Sequence, residues 1–510
     1  MTRRFTPSRY LTPVLLAPIL LAPVFLASCS QAGDGLVDIA VVEDTETLLT
    51  DGIRLSYGQQ LVRGATSEGL VTLDDNGETL PALAERWIVL DDGRSFIFRL
   101  REANWADGTA VDAQSVRAEI LRQIRDLEGT SLGLDLGRVS EIRAMTSRVI
   151  EIRLSQPMPS FLQLLAQPEL GLRRNDVGNG PMRASAGDDD VLLTPIAPEM
   201  RGLPEESDFA ERSRTLRIKA LAAPAAVAAF NDGQVDLVAG GTLASLPLAE
   251  TGPLSRGNLR LDSALGLFGL RVTKATGFLG NASRREALAM AIDRETLLEP
   301  FNLSGWPSTT RIVPLALAGE VQQAGEAEAG PTQERWADLS LEIRRSRAAR
   351  RVADWEGSSG QSASVAIFLP KGPGSDRIFR KLSADFATIG LASERASRPP
   401  DADLVLVDRL ARYAAPRWFI NQFHCTIQRS GCIAEADALV EGKEADEGDP
   451  GSANDAPPLV EAEALLVDSN TYIPFGAPVR WSLVRGGLNG FTENRWASHP
   501  LFPLAVDPIF

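Results

Sequence analysis

Two apolar periodicities interleave along this chain of 510 residues, and their alternation narrows its possible folds more than any other feature. From Ser95 to Leu100, Phe96, Phe98 and Leu100 share one face of an extended segment. From Val149 to Leu154, Ile150, Ile152 and Leu154 lie together, opposite Glu151 and Arg153. Both follow the period of two that marks a half-buried strand. Between them, Val116, Ile120, Ile124 and Leu127 form a helical stripe, with Asp112 as its start signal. Ser283 and Glu286 have the spacing of a capping box ahead of the apolar face of Leu288, Ala291 and Ile292. Leu404 to Val407 is a continuous apolar run, the pattern of a strand covered on both faces. Strands and helices in alternation imply α/β domains. With 44% hydrophobic residues the chain can bury large cores, and its length implies two or three domains. The polar stretches 319–334, 355–364 and 442–458 read as exposed loops. The basic run Arg344, Arg345, Arg347, Arg350 and Arg351 reads as a solvated helix face, ahead of a partner-binding patch.

The first 28 residues follow a different logic. Arg3, Arg4 and Arg9 are their only charges, and the apolar stretch from Leu11 to Leu26 is interrupted by Pro13, Pro18 and Pro23. This is the layout of a secretory signal. A spanning helix needs about 20 apolar residues and tolerates missing backbone donors poorly. The segment closes on Leu26-Ala27-Ser28-Cys29, which resembles the bacterial lipobox, where the cysteine sulfur carries diacylglycerol and the leader is cut before it. An ordinary signal peptide beside a chance cysteine is the competing reading. Cleavage would leave 49 basic against 67 acidic residues, a net charge near −18 compared with −15 for the whole chain. Such a body is repelled by nucleic acid and by anionic headgroups. The lipid on Cys29 would be the contact with the membrane.

Cys425 and Cys432 are then the remaining cysteines, and in an oxidising compartment they pair as a local disulfide. A metal site of His424, Cys425 and Cys432 is the alternative, short of a fourth ligand. Nothing in the sequence assembles a catalytic set. His424 and His499 are isolated, and the glycine pairs Gly240-Gly241 and Gly486-Gly487 lack nucleotide-binding spacing and read as turns. The chain is read as a non-enzyme without cofactor.

One stretch is far more specific. Glu68-Gly69-Leu70-Val71-Thr72-Leu73-Asp74 runs into Leu80-Pro81-Ala82-Leu83-Ala84-Glu85-Arg86-Trp87, then Asp91-Asp92-Gly93, Phe96-Ile97-Phe98-Arg99-Leu100-Arg101 and Trp105-Ala106-Asp107-Gly108-Thr109. This resembles the signature of the extracellular solute-binding family that includes oligopeptide-, dipeptide- and nickel-binding proteins of ABC importers. Fainter similarities continue in Gly178-Asn179-Gly180-Pro181-Met182, in Ala229 to Leu237, in the helix Arg284 to Glu295, and from Tyr472 to Phe491. As plain chemistry these segments are turns, caps and core. Trp87 and Trp105 read as core fillers.

The resemblance implies a two-lobed periplasmic-binding-protein fold of type II, with an extra domain inserted in the first lobe. Its boundaries would be a lipoprotein signal at 1–28, a tether at 29–36, a first lobe at 37–270 containing the insert at about 58–172, a second lobe at 271–479, and a return to the first lobe at 480–510. Ligand would sit between the lobes of a monomer that delivers its solute to an ABC permease at the periplasmic face of a bacterial membrane. Whether inner or outer membrane holds it is open, because Ser30 lacks the aspartate of inner-membrane retention.

Peptide-binding relatives anchor the peptide's ammonium on an aspartate just before an Asp-Pro turn. With Pro416 matched to that proline, Arg412 stands in the aspartate's place and Ala415 replaces the turn aspartate. A free α-amino group would then meet a like charge. Either Arg412 or Arg409 meets an anionic part of a different ligand, or Arg412 lies on the surface. Tyr413, Trp418 and Phe491 are further candidates for the ligand-binding wall, each equally readable as core. The expected function is therefore a solute-binding lipoprotein for a peptide-like or other small polar solute. The alternative is a structural or sensory lipoprotein that has lost tight binding.

Overall fold

The computed structural model describes residues 1–2, 35–44, 47–74, 76–249, 257–303, 305–317, 335–336, 338–428, 430–442 and 458–506. Residues 3–28 of the signal and Cys29 lie outside them, as do all of 319–334 and most of 442–458. The chain divides into Met1–Gly35 and Leu36–Phe510, and the architecture below is that of the second unit.

Strand Leu36–Val42 has apolar residues on both faces because it runs between two parallel neighbours, Thr215–Leu221 and Leu237–Thr242. It anchors a seven-stranded sheet that also takes in Met182–Ala186, Val191–Pro195, Leu259–Ser263 and, from the far end of the chain, Val479–Val484. A second sheet has five strands in the order Ala392–Arg395, Ser364–Phe368, Leu404–Leu410, Gly266–Val272 and Tyr472–Gly476. The main chain passes between these sheets through two short connections, residues 264–265 and 477–478. A third sheet of four antiparallel strands is built from Ala84–Leu90, Ser95–Leu100, Val149–Leu154 and Val139–Thr146. The fold is a two-lobed α/β architecture with a further sheet.

The strong periodicities form the elements they predict. Phe96, Phe98, Leu100, Ile150 and Ile152 face one buried core in the four-stranded sheet. The helix Ala113–Asp126 starts at Asp112, whose carboxylate accepts from Ser115 N, and lays Val116 and Ile120 on that core. Trp105 is buried, and Trp87 packs partly buried against the same cluster. This core does not stop at the four-stranded sheet. It continues into Tyr413, Trp418, Phe419, Ile420 and Phe423, around the helix Pro416–Asn421 that follows the second sheet's central strand.

Several local expectations are corrected. The helix Ala282–Ala291 is capped by Asn281 rather than Ser283, because the Asn281 side chain already accepts from Ser283 N and Arg284 N. Glu286 instead pairs with Arg335 and Arg351. Residues 355–359 continue the helix Leu341–Ser359, which ends on Gly360 in the left-handed region, so only a short link precedes Ser364. The arginine run on that helix is not one solvated face: Arg347 and Arg350 are exposed, but Arg345 pairs with Asp385 and Arg351 with Glu286. In Leu404–Leu410 only Leu404 is fully buried, since the strand ends on charged residues at an open cavity. Glu151, expected outside, is 4% exposed and accepts from Ser95 and Arg153. Gly240 and Gly241 lie within strand Leu237–Thr242 at a bulge, not in a turn. Gly240 has φ +81°, and a Cβ there would meet the Tyr57 ring at 2.8 Å.

Candidate functional site

The central strand of the second sheet delivers three charges at its end: Asp408, Arg409 and, two residues past it, Arg412. They open onto a cavity of about 730 Å³ whose walls come from the first two sheets and from segments beside the third. The first sheet supplies Val42, Gly240, Thr242 and Arg480, with Tyr57 from the helix Tyr57–Thr66 packed against it. Leu127, Thr130 and Glu169 come from the elements around the four-stranded sheet. Trp418, Gln422, Thr426 and Ile427 close the side beyond the second sheet. This size suits a small-molecule ligand.

Pairing inside the cavity is selective. The Arg480 Nη1 atom lies 2.7 Å from Asp408 Oδ1, linking the first sheet to the second with both side chains largely buried. Arg412 donates from Nη2 to Glu169 Oε2 at 2.6 Å and from Nε to Gln167 Oε1 at 2.8 Å. The Gln167 amide returns a bond to the Arg412 carbonyl at 2.8 Å. Arg409 differs. Its guanidinium donates to the neutral Gln422 Oε1, and it reaches no carboxylate within ion-pair distance among the described residues. Its side chain is open to the cavity, yet protein surrounds it on the scale of the cleft. That desolvation, and the nearby Arg271, lower its pKa below the usual arginine value. The Tyr57 phenol is pushed well up by burial and by Asp262, so it stays protonated.

Beside the cavity, Asp135 is fully buried and accepts from Arg417 Nε at 2.7 Å, from Asn421 Nδ2 at 2.9 Å and from the Tyr413 hydroxyl. Tyr413 is thereby committed to the interior and does not line the cavity, which corrects its reading as a ligand contact. Phe491 is likewise removed from the wall: its ring centre lies 4.3 Å from that of His499, against the first sheet's other core. Arg409, Arg412 and Trp418 do share the cavity. Arg412 is neither a surface residue nor a free cation, because Glu169 neutralises it.

Cys425 and Cys432 are joined in a disulfide, with Cα atoms 5.1 Å apart. Their sulfurs are thus unavailable as thiolate ligands, and His424 faces Glu441 and Asp437 instead. The small loop they close contains the cavity residues Thr426 and Ile427. Arg54, Tyr57, Glu169 and Arg480 were not legible as site residues, since no motif singles them out and each lies far in sequence from strand Leu404–Leu410.

Comparison with known proteins places this geometry. Residues 78–188 match the family model of the bacterial extracellular solute-binding proteins, family 5, middle region. The chain is similar to the probable deoxycholate-binding periplasmic protein YgiS of Escherichia coli (strain K12), 32% identical over 125 residues, covering 20% of this chain and 23% of that protein. It is also similar to the probable peptide ABC transporter periplasmic-binding protein y4tO of Sinorhizobium fredii, 26% identical over 263 residues, 46% of this chain and 48% of the relative. The chain thus spans about half or less of the length of these curated relatives. In fold it is similar to Haemophilus influenzae OppA in complex with RPPGFSPFR, with a TM-score of 0.73 and 16% identity over 93% of this chain and 99% of that one. Residues 78–188 thus carry the signature of the bacterial extracellular solute-binding proteins of family 5, on a fold similar to that of a solved oligopeptide-binding protein.

Proposed function

We propose that the chain is the solute-binding component of an ABC importer, taking a peptide-like or other small polar solute into the 730 Å³ cavity and passing it to a permease on the periplasmic side. One observation carries this reading. The cavity is walled by strands of the first two sheets and by segments beside the third, while the main chain crosses between the first two only at residues 264–265 and 477–478, the arrangement in which a ligand touching both sides can favour closure. The proposed first lobe at 37–270 with an insert near 58–172, second lobe at 271–479 and return at 480–510 have their two crossings close to the observed changes of sheet at 264–265 and 477–478. The likeness to binding proteins supports a non-enzymatic role. The small residues before Cys29 support a lipid anchor there. Two or three acyl chains would hold the body at its membrane, where one would not.

Native mass spectrometry of the purified protein, followed by thermal-shift screening against a broad solute panel, tests the binding role. A small molecule that co-purifies, or a solute that raises Tm, supports it. An empty protein that no solute stabilises would favour a structural or sensory lipoprotein. The ties of Arg412 to Glu169 and of Asp135 to Arg417, which connect the cavity's surroundings through the protein's own side chains, are the observation that second reading would rest on. The anchor has its own test: Cys29→Ser should move the protein from the membrane fraction to the soluble one, and an unchanged distribution would remove Cys29 from that role.

A further inference from the structure

The six ionised side chains that line the cavity are Arg54, Glu169, Asp408, Arg409, Arg412 and Arg480. Two pairs cancel, Arg412 with Glu169 and Arg480 with Asp408. Arg54 and Arg409 remain, neither with a carboxylate in ion-pair range among the described residues. Arg271, on the strand paired with Arg409's own, adds a third guanidinium in the same neighbourhood, and its buried Nε has no acceptor. Trp418 lines the cavity too, and its buried indole N–H also lacks an acceptor in the protein. A local excess of cations is notable in a chain of net charge −15, where acidic groups are plentiful enough to neutralise it. Like charges gathered in a cleft repel one another, and that cost is relieved when an anion enters. The pairing also excludes the simplest alternative. Arg412 already has its counter-ion in Glu169, so no carboxylate of the cavity is left over for an incoming ammonium.

We infer that the solute is an anionic small molecule, bearing a carboxylate or a phosphate, whose charge lies against Arg409 with Arg54 at the cavity's exposed side. This rests on the solute-binding reading above and deepens it. Arginine's planar fork suits either oxyanion, and the free donors around Arg409 are those such a group would accept from. Arg412 takes a positioning role: it ties residue 412 to the segment 167–169 and holds the wall that presents Arg409.

Calorimetric titration of the protein with matched pairs tests the inference: succinate against succinamide for the carboxylate arm, glucose 6-phosphate against glucose for the phosphate arm, and trialanine amide as a cationic control. The expected result is that the anion of at least one pair binds at least tenfold more tightly than its neutral partner, with affinity falling as salt rises. Which arm responds tells carboxylate from phosphate. Arg409→Gln should then weaken the anion about tenfold to a hundredfold while leaving the neutral partner unchanged, and Arg54→Gln should weaken it less. Far-ultraviolet circular dichroism confirms that both variants fold. Neutral or cationic probes binding as well as the anions, or an anion preference that survives in the double variant Arg54→Gln, Arg409→Gln, overturns the inference but leaves the solute-binding reading standing. Should no probe bind, the mass of any co-purified molecule decides: an acid upholds the inference, a neutral or basic compound overturns it, and an empty protein overturns both readings.

Discussion

At the scale of single residues, Arg412 shows why one position cannot be interpreted without its partners. Sequence places a cation where peptide-binding relatives have an anion, and an unpaired buried cation would be costly. The structure supplies Glu169, 243 positions away, which is 4% exposed in its side chain and accepts at 2.6 Å. Glu169→Ala should therefore cost about 1.5–3 kcal/mol, the range for a hydrogen bond to a charged group, read as a lower urea midpoint at constant slope. A midpoint unchanged within error would mean that solvent screens Arg412 well enough by itself. Asp135 is the stronger case, because Arg417, Asn421 and Tyr413 all depend on it and it is fully buried. Asp135→Ala leaves the Arg417 guanidinium buried without its counter-ion, a loss of about 3–5 kcal/mol. Chevron or equilibrium unfolding that finds less than about 1 kcal/mol would exclude a structural role for this network. The sequence carried Arg409, Arg412 and Trp418 to the cavity because they are adjacent along one segment. It could not carry Glu169, Arg480 or Asp135 there, since such long-range pairs have no local pattern. Only adjacency or likeness points Tyr413 and Phe491 to the wall, and the hydrogen bond to Asp135 and the tilted ring contact with His499 draw them elsewhere.

At the scale of elements, the periodic segments were the legible ones, and the ends of elements were not. Phe96, Phe98, Ile150 and Ile152 declare their strands because each face has a uniform environment. Helix starts depend on which of several nearby polar side chains reaches the free N–H groups first. Around residue 283 that is Asn281, so Asn281→Ala should cost about 1 kcal/mol, with Ser283→Ala far less. Equal losses for the two would restore Ser283 as the cap. Glu151 sits on the outer side of the four-stranded sheet, covered by its neighbours rather than deep in protein. Desolvation works against its charge, but the hydrogen bonds from Arg153 and Ser95 outweigh it and hold the carboxyl below the ordinary 4.5. A depressed native pKa means that the unfolded state binds the proton more tightly. The stabilisation is thus complete above the ordinary value and is lost as pH falls through the depressed one. Glu151→Gln should flatten the acid limb of the stability curve below about pH 4.5, and an unaltered limb would discount the interaction. The loop closed by Cys425 and Cys432 joins element to site, because Thr426 and Ile427 within it line the cavity. Replacing both cysteines with serine should lower stability by about 2–3 kcal/mol. It should also weaken any solute that thermal-shift screening identifies, whereas unchanged affinity would show that the wall holds its place without the bond.

At the scale of the whole molecule, the three sheets are connected very unequally. Residues 264–265 and 477–478 are slender links between the first and second sheets, and Arg480 with Asp408 forms an ion pair across the same junction. Those two sheets also share an apolar core, in which Val238, Trp481 and Leu483 join Phe268, Leu270, Ile473 and Phe475. Between the four-stranded sheet and the helix Pro416–Asn421 a separate apolar core runs through both, and there two largely buried ion pairs are added: Asp135 and Glu169 on one side bind Arg417 and Arg412 on the other. Apolar cores are bistable rather than soft. If the second lobe swings about the slender links, this seam must part as a unit, and the charged contacts within it set how often that happens. A residue with several buried partners contributes to the closed state and little to an open one, so weakening it shifts the balance without touching the ligand. Glu169→Gln together with Asp135→Asn keeps the shapes and removes both charges. This double variant should show a larger radius of gyration by small-angle X-ray scattering in the absence of solute. It should also bind solute more weakly by the fraction of molecules that must first be closed. An unchanged radius together with unchanged affinity would mean that the seam belongs to one rigid body, and that opening happens wholly at the junction of Arg480 with Asp408.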